Sequence, residues 1–430
     1  MSRVKTHAVS RRSQPRLSSG WFWVRNAIIV GVLTAGGIWA FIWWEDRPLR
    51  EIESALASNE YSAAISLANA YLKEFPGRSR AFELKARALV GVGRWDEAVR
   101  LFEVSGALGS KSLHDWARAY LKLQQWSDAL PLLLQLHSID PQDAETVHEL
   151  AACYGQLEEY DSAVLFAGKL KDFPEHVAAG RLLLGTLENN RGNYRLALEA
   201  WQPIVDADPA PESLQVAADE LLLAYGRALL KEGQTDKART YLVRSLAMRN
   251  AAETSSYLGD ACEQAGDLDR AVEYWKQALT ADSTLLRARE GLARTAIEQR
   301  QPDQALKWLA PVAEQEGLPS SIAYLFQRSY VLTGDADRAK QWEARVARLR
   351  DQETRSQLIE DGVQRVPNSF WSRGVRAHRF ASQGNSRQAA VLIEQLLKEA
   401  PDEPFIRQLA EYVQNRGPLP SLEMIPMKQF

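Results

Sequence analysis

QWSDA at Gln125–Ala129, EYDSA at Glu159–Ala163 and NYRLA at Asn193–Ala197 are one phrase written three times, each alanine 34 residues after the last. The phrase opens on a polar residue and an aromatic ring and closes on alanine. Upstream it stands as EYSAA at Glu60–Ala64 and RWDEA at Arg94–Ala98, again 34 residues apart. Downstream it returns as QTDKA ending at Ala238, DLDRA at Ala271, QPDQA at Ala305, DADRA at Ala339 and NSRQA at Ala389. The steps from Ala271 to Ala305 and from Ala305 to Ala339 are once more 34. Self-similarity at a fixed period of this length marks a repeat array, one supersecondary unit stacked many times.

The flanking residues say what the unit is. Each phrase follows an apolar stretch of helical period, and several of these hold a large residue followed by a small one. Such pairs are Leu150-Ala151, Leu184-Gly185, Tyr225-Gly226, Leu258-Gly259 and Leu292-Ala293. Small side chains there let two antiparallel helices approach, where a bulky one would overpack the contact. Gly93, Gly192, Gly233, Gly266, Gly334 and Gly384 stand just before a phrase, and glycine tolerates the left-handed backbone that ends a helix. Pro76, Pro141, Pro209 and Pro401 follow the second helix and stop it. The predicted unit is therefore a helix–turn–helix pair, and stacking gives each pair the neighbour it needs to bury its apolar face. In period, alanine, large–small pair, turn glycine and closing proline, the chain from about Glu45 to Gly417 resembles the tetratricopeptide repeat family. The resemblance implies an all-α helix-turn-helix solenoid wound as a right-handed superhelix, whose first helices line a concave, protein-binding face.

Irregularities divide the array. From Ala197 to Ala238 the step lengthens to 41, with the excess at Asp208–Ser213. The ring position changes there too, from Tyr61, Trp95, Trp126, Tyr160 and Tyr194 to Thr235, Leu268, Pro302, Ala336 and Ser386. A first subarray is assigned to residues 45–210 and a second to 211–349. Residues 350–416 are expected to hold an irregular repeat with an extra helix between Thr354 and Arg365, a final repeat, and a capping helix over Glu403–Asn415. The tail, 417–430, carries Pro418 and Pro420 and is expected to be extended or disordered.

The 430 residues are 46% hydrophobic and 25% charged, a balance for folded protein in a chain too long for one core. A net charge of -3 argues against nucleic acid as a main partner. Cys153 and Cys262 are too few for a disulfide framework and lie in apolar helical patterns, where a thiol packs like alanine. The N-terminus differs from the rest. Residues 1–25 carry Arg3, Lys5, Arg11, Arg12, Arg16 and Arg25 with no acid. Residues 26–44 are uncharged, and Ala27–Trp44 as a helix spans roughly 27 Å, close to the hydrocarbon thickness of a bilayer. Trp21 and Trp23 at one end and Trp39, Trp43 and Trp44 toward the other are placed as interfacial rings. Bulky residues follow the small-residue site near Ala40, so an uncleaved transmembrane signal anchor is expected rather than a cleaved peptide. The positive-inside bias puts the N-terminus in the cytoplasm and the repeats beyond the inner membrane, as a single-pass protein. Ala27, Gly31 and Ala35 offer a small face through which such helices pair, and so a route to a homo-oligomer.

Phosphate-cradling, HExxH, GxSxG and calcium-loop patterns are absent from the sequence, and no segment is left over for a catalytic domain. No enzymatic activity, cofactor or metal is expected. Carried onto matching positions, the family's first-helix ligand contacts fall on His114, Arg118 and Lys122, on Glu145 and His148, and on Asn189 and Asn190. They continue at Arg227 and Lys231, then Asp260 and Glu263. The early positions are mainly basic and the late ones acidic, which suits a peptide of split charge. Chaperone-binding members hold a terminal carboxylate with a lysine and asparagine clamp. Glu83 and Arg87 replace it in the first full repeat, so that role is not implied. The expected function is a membrane-tethered, non-catalytic scaffold for protein–protein interactions in assembly of an envelope complex. A self-associating solenoid stalk and an accessory subunit of an envelope enzyme system are the alternatives.

Overall fold

Every occurrence of the phrase starts a helix: Tyr61, Trp95, Trp126, Tyr160 and Tyr194, then Thr235, Leu268, Pro302, Ala336 and Ser386, are each a first helical residue. The computed structural model describes residues 47–107, 109–207, 216–415 and 417–426. The basic segment, the expected anchor over 26–44, Pro209 and the end of the tail lie outside the described residues. Within them no helix is long and apolar enough to cross a membrane.

The helices pair in chain order. The first pairs are α1 (Arg47–Ala57) with α2 (Tyr61–Glu74) and α3 (Ser79–Gly91) with α4 (Trp95–Ser105); α5 (Ser110–Lys122) and α6 (Trp126–Ile139) follow as the A and B helices of the next repeat in sequence. Next come α7 (Ala144–Gln156) with α8 (Tyr160–Lys169), α9 (Val177–Asn190) with α10 (Tyr194–Val205), and α11 (Ala218–Lys231) with α12 (Thr235–Met248). Then follow α13 (Ala252–Gln264) with α14 (Leu268–Ala281) and α15 (Leu286–Glu298) with α16 (Pro302–Leu309). The last are α17 (Ser320–Thr333) with α18 (Ala336–Arg365) and α19 (Phe370–Ser382) with α20 (Ser386–Glu399), capped by α21 (Pro404–Asn415). The first member of each pair is its A helix, the second its B helix. No strand occurs among the described residues.

The alanine that closes the phrase lies one turn into the B helix, and in nine of the ten pairs it has no accessible surface. Ala339, in α18, keeps 8%. Across from it the small residues of the A helices admit large rings. A Cβ on Gly185 would stand 2.3 Å from the Trp201 indole, and one on Gly259 would stand 2.4 Å from Trp275. Trp275 is also 2.4 Å from where a Cβ on Gly291 would sit, so its ring is held between α13 and α15. At the turns, the six predicted glycines all take positive φ. In the other four turns Asn59, Gln124, Glu158 and Arg300 take φ of 57° to 60°. That conformation costs a residue with a Cβ about 1 kcal/mol.

Contacts divide the chain into two compact units, one ending at Ala119 and the other beginning at Tyr120. The first has a core of Ile52, Ala64, Ala68, Leu84 and Ala88. In the second, one apolar cluster runs from Trp201 and Ile204 of α10 through Leu221 and Tyr225 of α11 to Leu242 and Leu258. The helices on either side of the lengthened step therefore share a core.

Two expectations need correction. The extra helix between Thr354 and Arg365 is not separate, because those residues continue α18, which is 30 residues long. Between Lys340 and Asp361 there is no proline or glycine to end it. The tail is ordered as far as it is described. Pro420 and Ile425 are buried, Arg355 Nη2 donates to the Glu423 carbonyl at 2.6 Å, and His378 Nε2 lies 2.9 Å from the Pro420 carbonyl.

Because Trp275 fills the space beside Gly259, the substitution Gly259→Ala is expected to destabilise the protein by about 1–3 kcal/mol, the range for overpacking, although alanine is the better helix former. Urea unfolding reads this as a lowered midpoint. An unchanged midpoint would mean that the indole has room to shift.

Candidate functional site

On the A helices, the residue two places after the large member of the large–small pair leaves the helix contact and reaches the neighbouring A helix. Arg227, Asp260 and Arg294 occupy this place after Tyr225, Leu258 and Leu292. Arg227 Nη1 lies 3.4 Å from Glu253 Oε1, joining α11 to α13. Asp260 accepts from Arg287 Nη1 at 2.8 Å on one oxygen and from the indole of Trp275 at 3.0 Å on the other. It therefore ties the surface of the site to the core. Arg294 donates to both oxygens of Glu263, at 2.9 and 2.7 Å, joining α13 to α15. Between the first two rungs lies Tyr257, with the Arg227 guanidinium 5.0 Å from its ring centroid and that of Arg287 at 4.4 Å. Burial opposes the charge of Arg287, but the Asp260 hydrogen bond and the surrounding acidic groups outweigh it and hold its pKa above the usual value.

These side chains border a groove of about 340 Å³ whose charged lining is Arg227, Lys231 and Arg287 against Asp260. Three cations thus face one carboxylate. An adjoining groove of about 460 Å³ is lined by Asp260, Glu263 and Glu290 against Arg287 and Arg294, three carboxylates to two cations. The A-helix face therefore changes sign along its length, over helices α9 to α15.

Of the residues singled out in the sequence, Asn189, Arg227 and Lys231 come together in the first groove, and Asp260 and Glu263 in the second. Asn190 is exposed beside them without lining either. His114 and Arg118 belong to the unit that ends at Ala119, and Lys122 to the other; none of the three lines these grooves. Glu145 and His148 sit on α7, also outside them; burial lowers the pKa of His148, with Glu149 pulling the other way. Sequence reasoning missed Tyr194, Tyr257, Arg287 and Arg294. Arg294 shares the offset of Arg227 and Asp260 and was open to discovery by it, whereas Tyr257 and Arg287 lie at other offsets. Glu83 and Arg87, which stand in place of a clamp, are both engaged. Glu83 is fully buried against Arg80 and Ser112, and Arg87 donates to Asp115 at 3.0 Å. Both cysteines are buried, and burial pushes the Cys153 thiol up to about 12, far from reactive thiolate.

Since Asp260 is the acceptor for a buried indole N–H, Asp260→Ala is expected to cost about 1–3 kcal/mol of stability, measured by denaturant unfolding. Asp260→Asn, which keeps an acceptor, should cost less. Equal losses would mean that the Trp275 bond carries no weight.

Models described as tetratricopeptide repeat match residues 263–325 and, separately, 49–108 and 223–285. The human protein "General transcription factor 3C polypeptide 3" is 33% identical over 118 residues, 27% of this chain and only 13% of that protein. Among solved structures, a tetratricopeptide repeat protein from Parabacteroides merdae is 16% identical with a TM-score of 0.38, over 58% of this chain and 97% of that one. PilW, described as a type IV pilus biogenesis factor, is 18% identical with a TM-score of 0.42, over 51% and 99%. Pseudomonas aeruginosa pilF is 16% identical with a TM-score of 0.40, over 55% and 97%. With its 34-residue phrase, the buried alanine of each pair and the matched segments, the chain carries tetratricopeptide repeats.

Proposed function

We propose that the chain is a membrane-tethered, non-catalytic scaffold whose A-helix face recruits a partner polypeptide, an acidic stretch of that partner lying against Arg227, Lys231 and Arg287. Tetratricopeptide repeats are protein-interaction scaffolds, which supports the general part of this reading. The finer part is carried by the groove in which three cations face one carboxylate. Lys231 is exposed, and Arg227 meets Glu253 only at 3.4 Å. An incoming carboxylate therefore displaces little at Arg227 and Lys231 and gains charge-assisted hydrogen bonds, each worth up to about 1 kcal/mol at so exposed a face. Past Asp260 the face turns acidic, so the partner segment is expected to carry basic residues further along. The uncharged stretch 26–44 supplies the tether and its basic flank the orientation, with the repeats outside the cytoplasm, organising an envelope complex.

Photo-cross-linking in intact membranes from probes at Asn190 and Arg227, read by mass spectrometry, is expected to return one recurrent partner at both positions. Arg227→Glu combined with Lys231→Glu should weaken capture of that partner by about tenfold or more. Self-cross-links alone, or none, would favour the stalk.

The tether has its own test. The full chain should stay with membranes through alkaline carbonate extraction, and the chain lacking residues 1–44 should be released. Release of the full chain would remove the anchor from the proposal.

A further inference from the structure

The last helix pair reaches back along the chain. Arg379 of α19 donates to Glu158 at 2.6 Å, Arg387 of α20 lies 2.7 Å from Asp128, and Gln388 donates to the carbonyl of Gln124. These partners are 221, 259 and 264 residues apart, all within the unit that begins at Tyr120. Two of them, Gln124 and Glu158, are left-handed turn residues that are not glycine. Where other turns relieve the strain, these keep a side chain, and the Glu158 carboxylate is in use.

Within this seam is a cavity of about 230 Å³, smaller than the sites that take drug-sized ligands. Leu130, Leu157, Phe380 and Leu392 give it apolar walls, with Val391 half-open beside them, and Ser127, Glu159, Asn368 and Gln395 line the polar side. Arg376 of α19 also lines it and is only 3% exposed. A guanidinium carries five donors. Here Nη1 makes one long bond, 3.3 Å to the Leu157 carbonyl, and Nε has no partner among the described residues. The nearest carboxylate, Glu159, stands 4.0 Å away, and Glu158 is held by Arg379. The other arginine of the lining, Arg373, is satisfied by a two-pronged bond to Glu399 at 2.7 and 2.6 Å. A buried cation so poorly matched is costly to keep, and it borders a small space that is apolar on one side and polar on the other.

We propose that this seam cavity binds a carboxylate carried on a short branched or aromatic apolar body, the carboxylate pairing with Arg376 and the body filling the space between Leu130, Leu157 and Phe380. The site is separate from the A-helix grooves and does not depend on them. A ligand there touches the turn after α7 and the α19–α20 pair at once, so its binding energy adds to the seam and stabilises the fold. Two sources share the chemistry: a free short-chain acid, and the C-terminal residue of a polypeptide.

The test uses the full chain, with calorimetry and thermal unfolding. The probes are 3-methylbutanoate, 3-phenylpropionate and the dipeptide N-acetyl-Ala-Leu, each paired with its uncharged amide. The acids are expected to bind and raise the unfolding midpoint while the amides do not. Arg376→Met should fold, because removing a poorly paired buried charge is tolerated, and should bind the acids about tenfold more weakly or worse. Val391→Phe, which fills the cavity and leaves Arg376 in place, should lose binding as well; it keeps the test intact if the methionine variant does not fold. Arg227→Glu should leave acid binding unchanged. Preference for the free acids identifies a small metabolite, and preference for the dipeptide a polypeptide terminus. The proposal is overturned if no acid binds at about 10 mM, the weak end of specific affinity, if amides bind as well as acids, or if Arg376→Met binds like the parent.

Discussion

The contact between a B-helix alanine and the A helix behind it governs this architecture. With no side chain beyond a methyl group at that point, two helices come close enough for a large ring to fill the flanking space. Trp201 and Trp275 do so, each filling space that a Cβ on the facing glycine would enter. Elsewhere a smaller apolar residue stands at that place, such as Leu133 or Leu242, and the buried alanine is what recurs along the array. The candidate groove residues lie on the outward side of the A helices, and most of them take no part in core packing; Asp260, bonded to the Trp275 indole, is the exception.

The joint between these layers is Asp260. One oxygen serves the indole of a core tryptophan and the other a surface arginine, so the charge pattern of the groove is braced from below. The rungs themselves are half-exposed ion pairs, and such pairs are worth under about 1 kcal/mol each. Their main effect is to set the direction in which the guanidinium groups point, with Tyr257 presenting a ring face to two of them.

How far the molecule could be read from its sequence follows from the range of each interaction. The alanines, the turn glycines and the large–small pairs act within one helix pair, so their spacing records the structure directly. Arg227, Asp260 and Glu263 were legible for the same reason, at fixed offsets from those pairs. Tyr257 and Arg287 were not, because the offset rule covers only one row of the helix face and the groove draws on two. The thirty-residue α18 was misjudged because a lengthened step suggests an insertion, whereas the chain simply lacked a residue to stop the helix. Ile425 is buried where Arg355 holds the tail carbonyls, a contact that no local pattern announces. The seam at Arg376 and Arg379 was out of reach altogether. It joins residues more than two hundred positions apart, and a short motif does not encode so distant a contact.

That seam changes the statistics of the array. In an open stack each unit answers only to the one before and the one after, and the terminal units, with a single neighbour, fray first. Here the α19–α20 pair leans on α21 and also on the turns at Gln124 and Glu158, so an end has acquired the standing of a middle. A line of nearest-neighbour couplings has become a loop. Melting at the C-terminal end then breaks a contact near the start of the same unit, and elements more than two hundred residues apart share one cooperative transition.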